Sequence, residues 1–424
     1  MEMGCGMRLL LYSWNANNEQ ILADNLIKLG FEILWFDKEC RHFTRDMELA
    51  AQMIPYIHRE GIEAVVSFNY FPIISMICDT CKVPYYAWVY DCPHFTLYAK
   101  QVTLPCNHIG IFDREMVRKL REKGVQTVYH VPLSVDAEQF AQLIRENAGM
   151  SDAHGAYKAH ADGSIGRNSL SEYACDISFV GSLYTDEHNY YDRLLSVKDK
   201  AALDRFICEQ CFCYDRDLLG EALATGELDM DLIQAKMEEQ GLMLGKDYFA
   251  DTDELLKATV LEKKVTVEER RDLLKHVAEV FGEKFRFDLY TASNLQEYPS
   301  IKKHHRGIAD YHKQMPLVFA GSRINLNLTL RSIHSGIPLR VLDIMACGGF
   351  VISNWQPEIT EYFADGQEIV TYRSLEECMD KIAYFLEHEG ERGAIASAGQ
   401  RKVREKFGYT DGLIRLFKLD NEER

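Results

Sequence analysis

The sequence predicts an α/β protein of two doubly wound domains, each a parallel sheet covered by helices, with a helical insertion in the second. Two observations lead there. Over residues 7–136, and again from Ile177 onward, short apolar runs alternate with helical patterns, as in a parallel sheet with crossover helices. Between these regions the chain turns small and polar (Gly149-Met150-Ser151-Asp152-Ala153-His154-Gly155, then Ala161-Asp162-Gly163-Ser164), the composition of a linker. The expected division is therefore 1–148, a linker over 149–172, and a second domain over 173–407.

In the first half the expected strands are 7–12, 32–36, 64–68, 85–90, 108–112 and 127–131, with helices at 19–29, 47–60 and 113–123. The second half opens with the apolar Ile177-Ser178-Phe179-Val180. Residues 190–280 are rich in Glu, Lys and Leu at helical spacing and form the expected insertion. Strands follow at 285–290, 323–328, 350–353 and 369–372, then helices at 375–388 and 392–407. There is no solenoid-type repeat.

Composition narrows the function. The chain has 424 residues, 47% of them hydrophobic, enough for two or three cored domains. Its net charge of −17 argues against nucleic-acid binding, which needs clustered Lys and Arg. A local basic cleft remains compatible with it. No apolar run reaches the ~18 residues of a membrane span, and the N-terminus lacks a basic region followed by a signal-peptide core. A soluble cytoplasmic protein is expected. Twelve cysteines in a chain of this length do not read as a disulfide framework. Cys78-x2-Cys81 and Cys208-x2-Cys211-x-Cys213 have zinc-like spacing without a clear second ligand pair, so thiols are expected and no metal.

The richest stretch runs from Ser335 to Ser353. Ser335-Gly336-Ile337-Pro338 reads as a helix start, with proline near the first turn. An amphipathic helix, a Gly348-Gly349 turn and the buried strand Phe350-Val351-Ile352-Ser353 follow. A helix start offers free amides and a positive dipole end, suited to a diphosphate. Asp343 offers a carboxylate for ribose hydroxyls, or is simply the partner of Arg340 three residues earlier. Phosphate at one end and sugar at the flank suit a nucleotide-sugar.

At these residues the chain resembles glycosyltransferases of the two-Rossmann-domain (GT-B) type, and within them the bacterial spore-maturation (CgeB-like) group. Ser322-Arg323-Ile324-Asn325-Leu326-Asn327-Leu328-Thr329, Asp176-Ile177-Ser178-Phe179-Val180-Gly181-Ser182, Tyr86-Ala87-Trp88-Val89-Tyr90-Asp91-Cys92-Pro93-His94 and Val131-Pro132-Leu133-Ser134-Val135-Asp136 also look like that group. The resemblance is specific over 320–370 and absent over 190–275. It implies two Rossmann-like domains facing a cleft, the second holding a UDP-sugar or similar donor and the first an acceptor. It also implies transfer to a hydroxyl, no divalent metal, and residues 408–424 crossing back onto the first domain. Many retaining relatives carry a glutamate where Ser335 stands, eight positions before a second acid; here only Asp343 remains, so the stereochemistry does not carry over. A nucleotide-sugar 2-epimerase on the same fold and an inactive nucleotide-sugar-binding paralogue are the competing readings.

Further candidates have two readings each. Arg331 and Arg340 would neutralise donor phosphates through bidentate contacts, or serve as structural ion-pair partners; Arg323, at a strand start, is as well placed for solvent. Asn327 and Thr329 share one face of a strand, either a ligand face or an amphipathic edge. Gly181 and Ser182 form a turn that admits phosphate near backbone amides. Asp91 and His94 end an aromatic strand. Either suits a general base, while Asp91 also suits a helix cap. Trp14 and Asn15, after the first strand, are placed to touch acceptor. No cofactor beyond the donor itself is expected, and the acceptor class (glycan, protein or small molecule) stays open.

Overall fold

In a computed structural model of the chain, residues 6–148, 169–186, 189–242, 248 and 252–419 are described. Most of the expected linker, and residues 420–424, lie outside them. The first sheet has six strands: β1 (Arg8–Tyr12), β2 (Glu32–Phe36), β3 (Ala64–Phe68), β4 (Tyr85–Val89), β5 (Asn107–Ile111) and β6 (Val128–His130). The second has five: β7 (Cys175–Val180), β8 (Phe287–Tyr290), β9 (Ser322–Asn327), β10 (Val351–Asn354) and β11 (Val370–Tyr372). Their orders are β2-β1-β3-β4-β5-β6 and β11-β10-β9-β7-β8, with all pairs parallel. The protein is thus α/β, with two Rossmann-like domains. Strand ends match the expected ones to within two residues, and β2 and β3 match them fully.

The central strands are almost wholly buried because both faces are covered. In β1 and β3, Leu10 and Val65 enter one core while Leu9, Leu11, Ala64 and Val66 enter the other. The second sheet likewise separates a core around Val341, Leu342 and Met345 from one around Ile177, Ile324 and Ile352.

The insertion is helical and has its own core of Tyr191, Leu203, Phe206, Leu219, Ile233 and Met237. It is shorter than the sequence pattern suggests. Leu273, Leu274 and Val277, in the last helix Glu262–Val280, pack against β7 and β8. That helix is the crossover between those strands, extended backward to carry the insertion. The final helix, Tyr409–Phe417, packs on the first sheet, where Leu413, Leu416 and Phe417 meet Leu9, Leu11 and Trp88. Gly412 makes this docking possible: a Cβ there would lie 2.1 Å from the Trp88 ring. No helix among the described residues is long and apolar enough to cross a membrane.

Candidate active site in the interdomain cleft

In open α/β sheets, ligands bind beyond the carboxyl ends of the strands, where strand order reverses. The first sheet reverses between β1 and β3, the second between β7 and β9. The loops after these strands face each other across a cleft of 590 Å³. Trp14, Asn15, Asn69 and Asp91 stand on the first-domain wall, and Tyr184, Tyr311, Leu339 and Arg340 on the second. Five non-glycine residues among those described have positive φ, and three line this cleft: Asn15 at 66°, Asn69 at 59° and Tyr184 at 55°. Strained backbone of this kind persists only where surrounding contacts enforce it.

Those contacts are visible. Glu19, buried at the start of the first helix, accepts from Ser13 Oγ (2.5 Å), Trp14 N (2.9 Å) and Ala16 N (3.1 Å), folding the loop after β1 around its carboxylate. The Trp14 indole donates to Phe68 O at 2.9 Å. Buried Asn69 accepts from Tyr90 N and Asp91 N, and its amide donates to Asp91 Oδ2 at 2.6 Å. Asp91 is thereby aimed while staying exposed. It caps no helix: the next turn starts at Phe95 and receives no side-chain cap.

His94 is turned elsewhere. Its Nε2 lies 2.7 Å from Thr96 Oγ1 and 3.2 Å from Tyr70 N, and it lines a separate, smaller pocket. Burial lowers its pKa, with Asp91 opposing.

On the second wall the helix runs Leu339–Ala346, with Pro338 preceding it as N-cap. It therefore starts later than the sequence pattern suggests, and Asp343 lies about one turn in rather than two. Asp343 is 1% exposed. It accepts from Tyr311 Oη (2.9 Å) and Arg340 Nη1 (3.2 Å). Burial raises its pKa to about 6 despite the guanidinium. First-turn amides of a helix commonly lack an intrahelical acceptor; here Val341 N donates to Pro338 O at 3.0 Å, while Leu339 and Arg340, the first two residues of the helix, line the cleft.

Residues 335–337 are held away from the helix by the first domain. Ser335 Oγ lies 2.9 Å from Asp113 Oδ1 and 2.7 Å from Glu358 Oε1. Glu358 also accepts from Arg114 N and lies 2.8 Å from His130 Nε2. A Cβ on Gly336 would meet Phe112 Cδ2 at 2.8 Å and Phe112 O at 2.9 Å. Ile337 is buried in the core. This stretch joins the two domains.

At the second switch point, Gly181 N donates to Tyr290 O, and Ser182 Oγ accepts from Tyr184 N at 2.9 Å. Arg270, from the crossover helix, donates to Ser182 O and Leu328 O and lies over the Tyr184 ring at 4.9 Å. Its guanidinium has no carboxylate within ion-pair distance among the described residues, and burial lowers its pKa. Asn327 donates to Thr329 Oγ1 and Ser353 Oγ (3.2 and 2.9 Å), so both sequence-selected residues sit in a buried polar network at the strand ends.

Two arginines selected from the sequence stand outside the cleft. Arg331 is bidentate on Glu269, itself 5% exposed, and lines a second pocket under the insertion. Arg323 pairs with Asp176 at 2.6 Å, at the opening ends of β7 and β9. A third cluster, Asp217, Glu262 and His334, has metal-like spacing. Lys257 Nζ lies 2.5 Å from Asp217 Oδ2 and 3.2 Å from Glu262 Oε1, so an ammonium already balances those carboxylates. Asp217 is held at about 2 despite burial, by Lys257 and His334. The cysteines Cys78, Cys81, Cys208, Cys211 and Cys213 are free thiols.

Comparison with known proteins bears on the second wall first. Residues 268–416 match the family described as glycosyl transferase-like. No curated protein matches the chain. Sucrose-phosphate synthase from Thermosynechococcus elongatus is similar in structure at 8% identity, over 97% of this chain and 98% of that one, with a TM-score of 0.54. At that identity the likeness speaks for the fold. A glycosyltransferase from Rickettsia africae (9% identity, 99% and 100% coverage, TM-score 0.49) is also similar. So is Anabaena Alr3699/HepE in complex with UDP and glucose (10%, 97% and 99%, TM-score 0.47).

Proposed function

We propose that this chain is a glycosyltransferase of the spore-maturation (CgeB-like) group that moves a sugar from a nucleotide-diphosphate donor, a UDP-sugar, to an acceptor hydroxyl without a divalent metal. The observation that carries the reading is the cleft. One wall presents a helix start, a guanidinium and a buried carboxylate, and the other an exposed, aimed carboxylate. The glycosyl transferase-like match over 268–416 supports it, because that region contains the helix, Tyr311, Arg340 and Asp343.

In this reading the diphosphate lies against the first-turn amides and Arg340, and the ribose hydroxyls donate to Asp343. Ser182 and Tyr184 border the phosphates, and Arg270 fixes their loop. The acceptor lies along Trp14 and Asn15. The bond from the anomeric carbon to the diphosphate breaks, and its electron pair leaves on the nucleotide. The acceptor oxygen bonds to that carbon and its proton passes to Asp91. Arg340 and the amides stabilise the developing negative charge, and such preorganised electrostatics usually lower a barrier more than any other single effect.

The test incubates the full chain with UDP-glucose, UDP-galactose and UDP-N-acetylglucosamine, with and without chelator. A transferase releases UDP slowly by hydrolysis, unaffected by chelator. Conversion to an isomeric UDP-sugar identifies the 2-epimerase instead. UDP binding with neither product identifies a binding paralogue. Turnover lost to chelator and restored by manganese refutes metal independence.

A further inference from the structure

The first-domain wall has a composition that speaks to its ligand. Trp14, Asn15, Asn17, Asn18, Asn69 and Asp91 supply its polar and stacking groups. Among the described residues lining that wall there is no lysine or arginine; the cleft's one guanidinium, Arg340, is on the donor side. A phosphorylated, sulfated or carboxylated ligand would lack a counter-ion there. An apolar aglycone would leave the exposed Asn15 and Asn17 amides and the Asp91 carboxylate without a ligand partner. Hydroxyl groups suit the wall, because each both donates and accepts, as side-chain amides do.

The aromatic part is equally specific. Trp14 is 38% exposed, yet its indole N–H is fixed on Phe68 O and its loop is tied down by Glu19. Its ring cannot turn freely. Phe71 lies behind it at 6.2 Å, and Phe43, also 38% exposed, lies 6.0 Å beyond Phe71. Phe95 closes the row edge-on to Phe43 at 5.2 Å. Rigid exposed rings beside hydrogen-bonding side chains suit the two chemistries of a pyranose, a C–H face and an equatorial belt of hydroxyls. Two such ledges suit more than one ring.

We infer that the acceptor is a neutral glycan, stacked on Trp14 with a hydroxyl at Asp91 and its chain continuing over Phe43. This rests on the sugar-transfer reading above. The test places the labelled full chain, with UDP present, on an array of neutral, sialylated, sulfated and phosphorylated glycans. Retention by neutral glycans is expected, falling about tenfold or more in Trp14→Ala and staying near wild type in Trp14→Phe. Phe43→Ala should weaken only glycans longer than one ring. Retention of anionic glycans alone, retention of none, or unchanged retention in Trp14→Ala overturns the inference. UDP calorimetry on the same samples separates the two levels. UDP bound without neutral glycan removes the acceptor assignment alone, whereas failure to bind UDP removes the transferase reading. Melting curves confirm that each variant is folded.

Discussion

Asp343 offers the sharpest test, because burial has put its titration inside the working pH range. Its pKa is raised from 3.8 to about 6 by loss of water, with Arg340 and Tyr311 opposing. If the ionised carboxylate accepts ribose hydroxyls, binding selects the deprotonated form. With a midpoint of about 6, about one molecule in eleven is ionised at pH 5 and about ten in eleven at pH 7. UDP-glucose affinity should therefore rise about tenfold from pH 5 to pH 7 and then level off. The donor diphosphate is a diester and stays fully ionised over this range, so its own charge adds no slope. Asp343→Asn should bind more weakly at pH 7, by about 1.5–3 kcal/mol, the worth of a charged hydrogen bond, and its profile should be flat. Isothermal calorimetry with UDP-glucose from pH 5 to pH 8 reads both. The same shift acts on folding with the opposite sign. A raised acid pKa means that the unfolded chain releases its proton first, so this group's contribution falls as pH rises from about 4 to 6. At up to 1.36 kcal/mol per unit, the stability of Asp343→Asn relative to wild type should improve by about 2 kcal/mol across that interval. A wild-type affinity that is flat with pH, or a variant that keeps the slope, refutes the ribose assignment.

Two further outcomes follow from the placement of the other charges. Arg331→Ala leaves Glu269 buried and unpaired, so urea unfolding should show a loss of about 3–5 kcal/mol, while UDP affinity of the folded fraction stays at wild type. Asp91→Asn should lower the transfer rate by about a hundredfold or more if Asp91 is the general base. Donor affinity should not change, because the proposed donor contacts lie on the other wall; a normal rate removes Asp91 from the chemistry.

The fold was legible because both sheets are parallel and covered, so each strand is an apolar run between helical patterns. The central strands β3 and β4 show this best, with every residue buried. The backward extension of the crossover helix was not legible: Glu262–Val280 has one helical pattern, and only packing separates its sheet-facing half from its insertion-facing half. In the site, Arg340, Asp91, Trp14 and Asn15 line the cleft, and Asp343 is buried behind Arg340 and Tyr311, to which it is bonded. Arg331 was indistinguishable from Arg340 in sequence, since both precede or open the same helix. What separates them is Glu269, sixty-two residues away. Asn69, Arg270 and Tyr311 carried no signal, because each acts through a partner distant in sequence; Glu19 acts on residues 13–16, just ahead of it, but nothing in the sequence marks a helix-start glutamate as folding back on the preceding loop. Asn69 is the one with a latent clue, as Asn tolerates positive φ better than most residues.

The stretch 334–336 explains why a helix-start motif can serve two masters. Read alone, Ser335-Gly336 is a phosphate loop. In the structure its side-chain and backbone groups turn to the first domain: His334 N and Ser335 N donate to Asp113 Oδ2, and Gly336 lets Phe112 approach. The helix that follows begins at the cleft, where Leu339 and Arg340 line it, so one segment both joins the domains and reaches the cleft. The final helix fixes the first domain a second time, through Leu413 and Leu416. The insertion fixes it a third time, through Lys119 on Glu254 at 3.2 Å. With these attachments, and with His312 Nε2 3.0 Å from Asn17 O at the cleft itself, Arg340 and Asp91 line the cleft from walls held together by the protein's own contacts. Catalysis by positioning needs that preorganisation, and weakening any one attachment should loosen the facing walls before it unfolds either sheet.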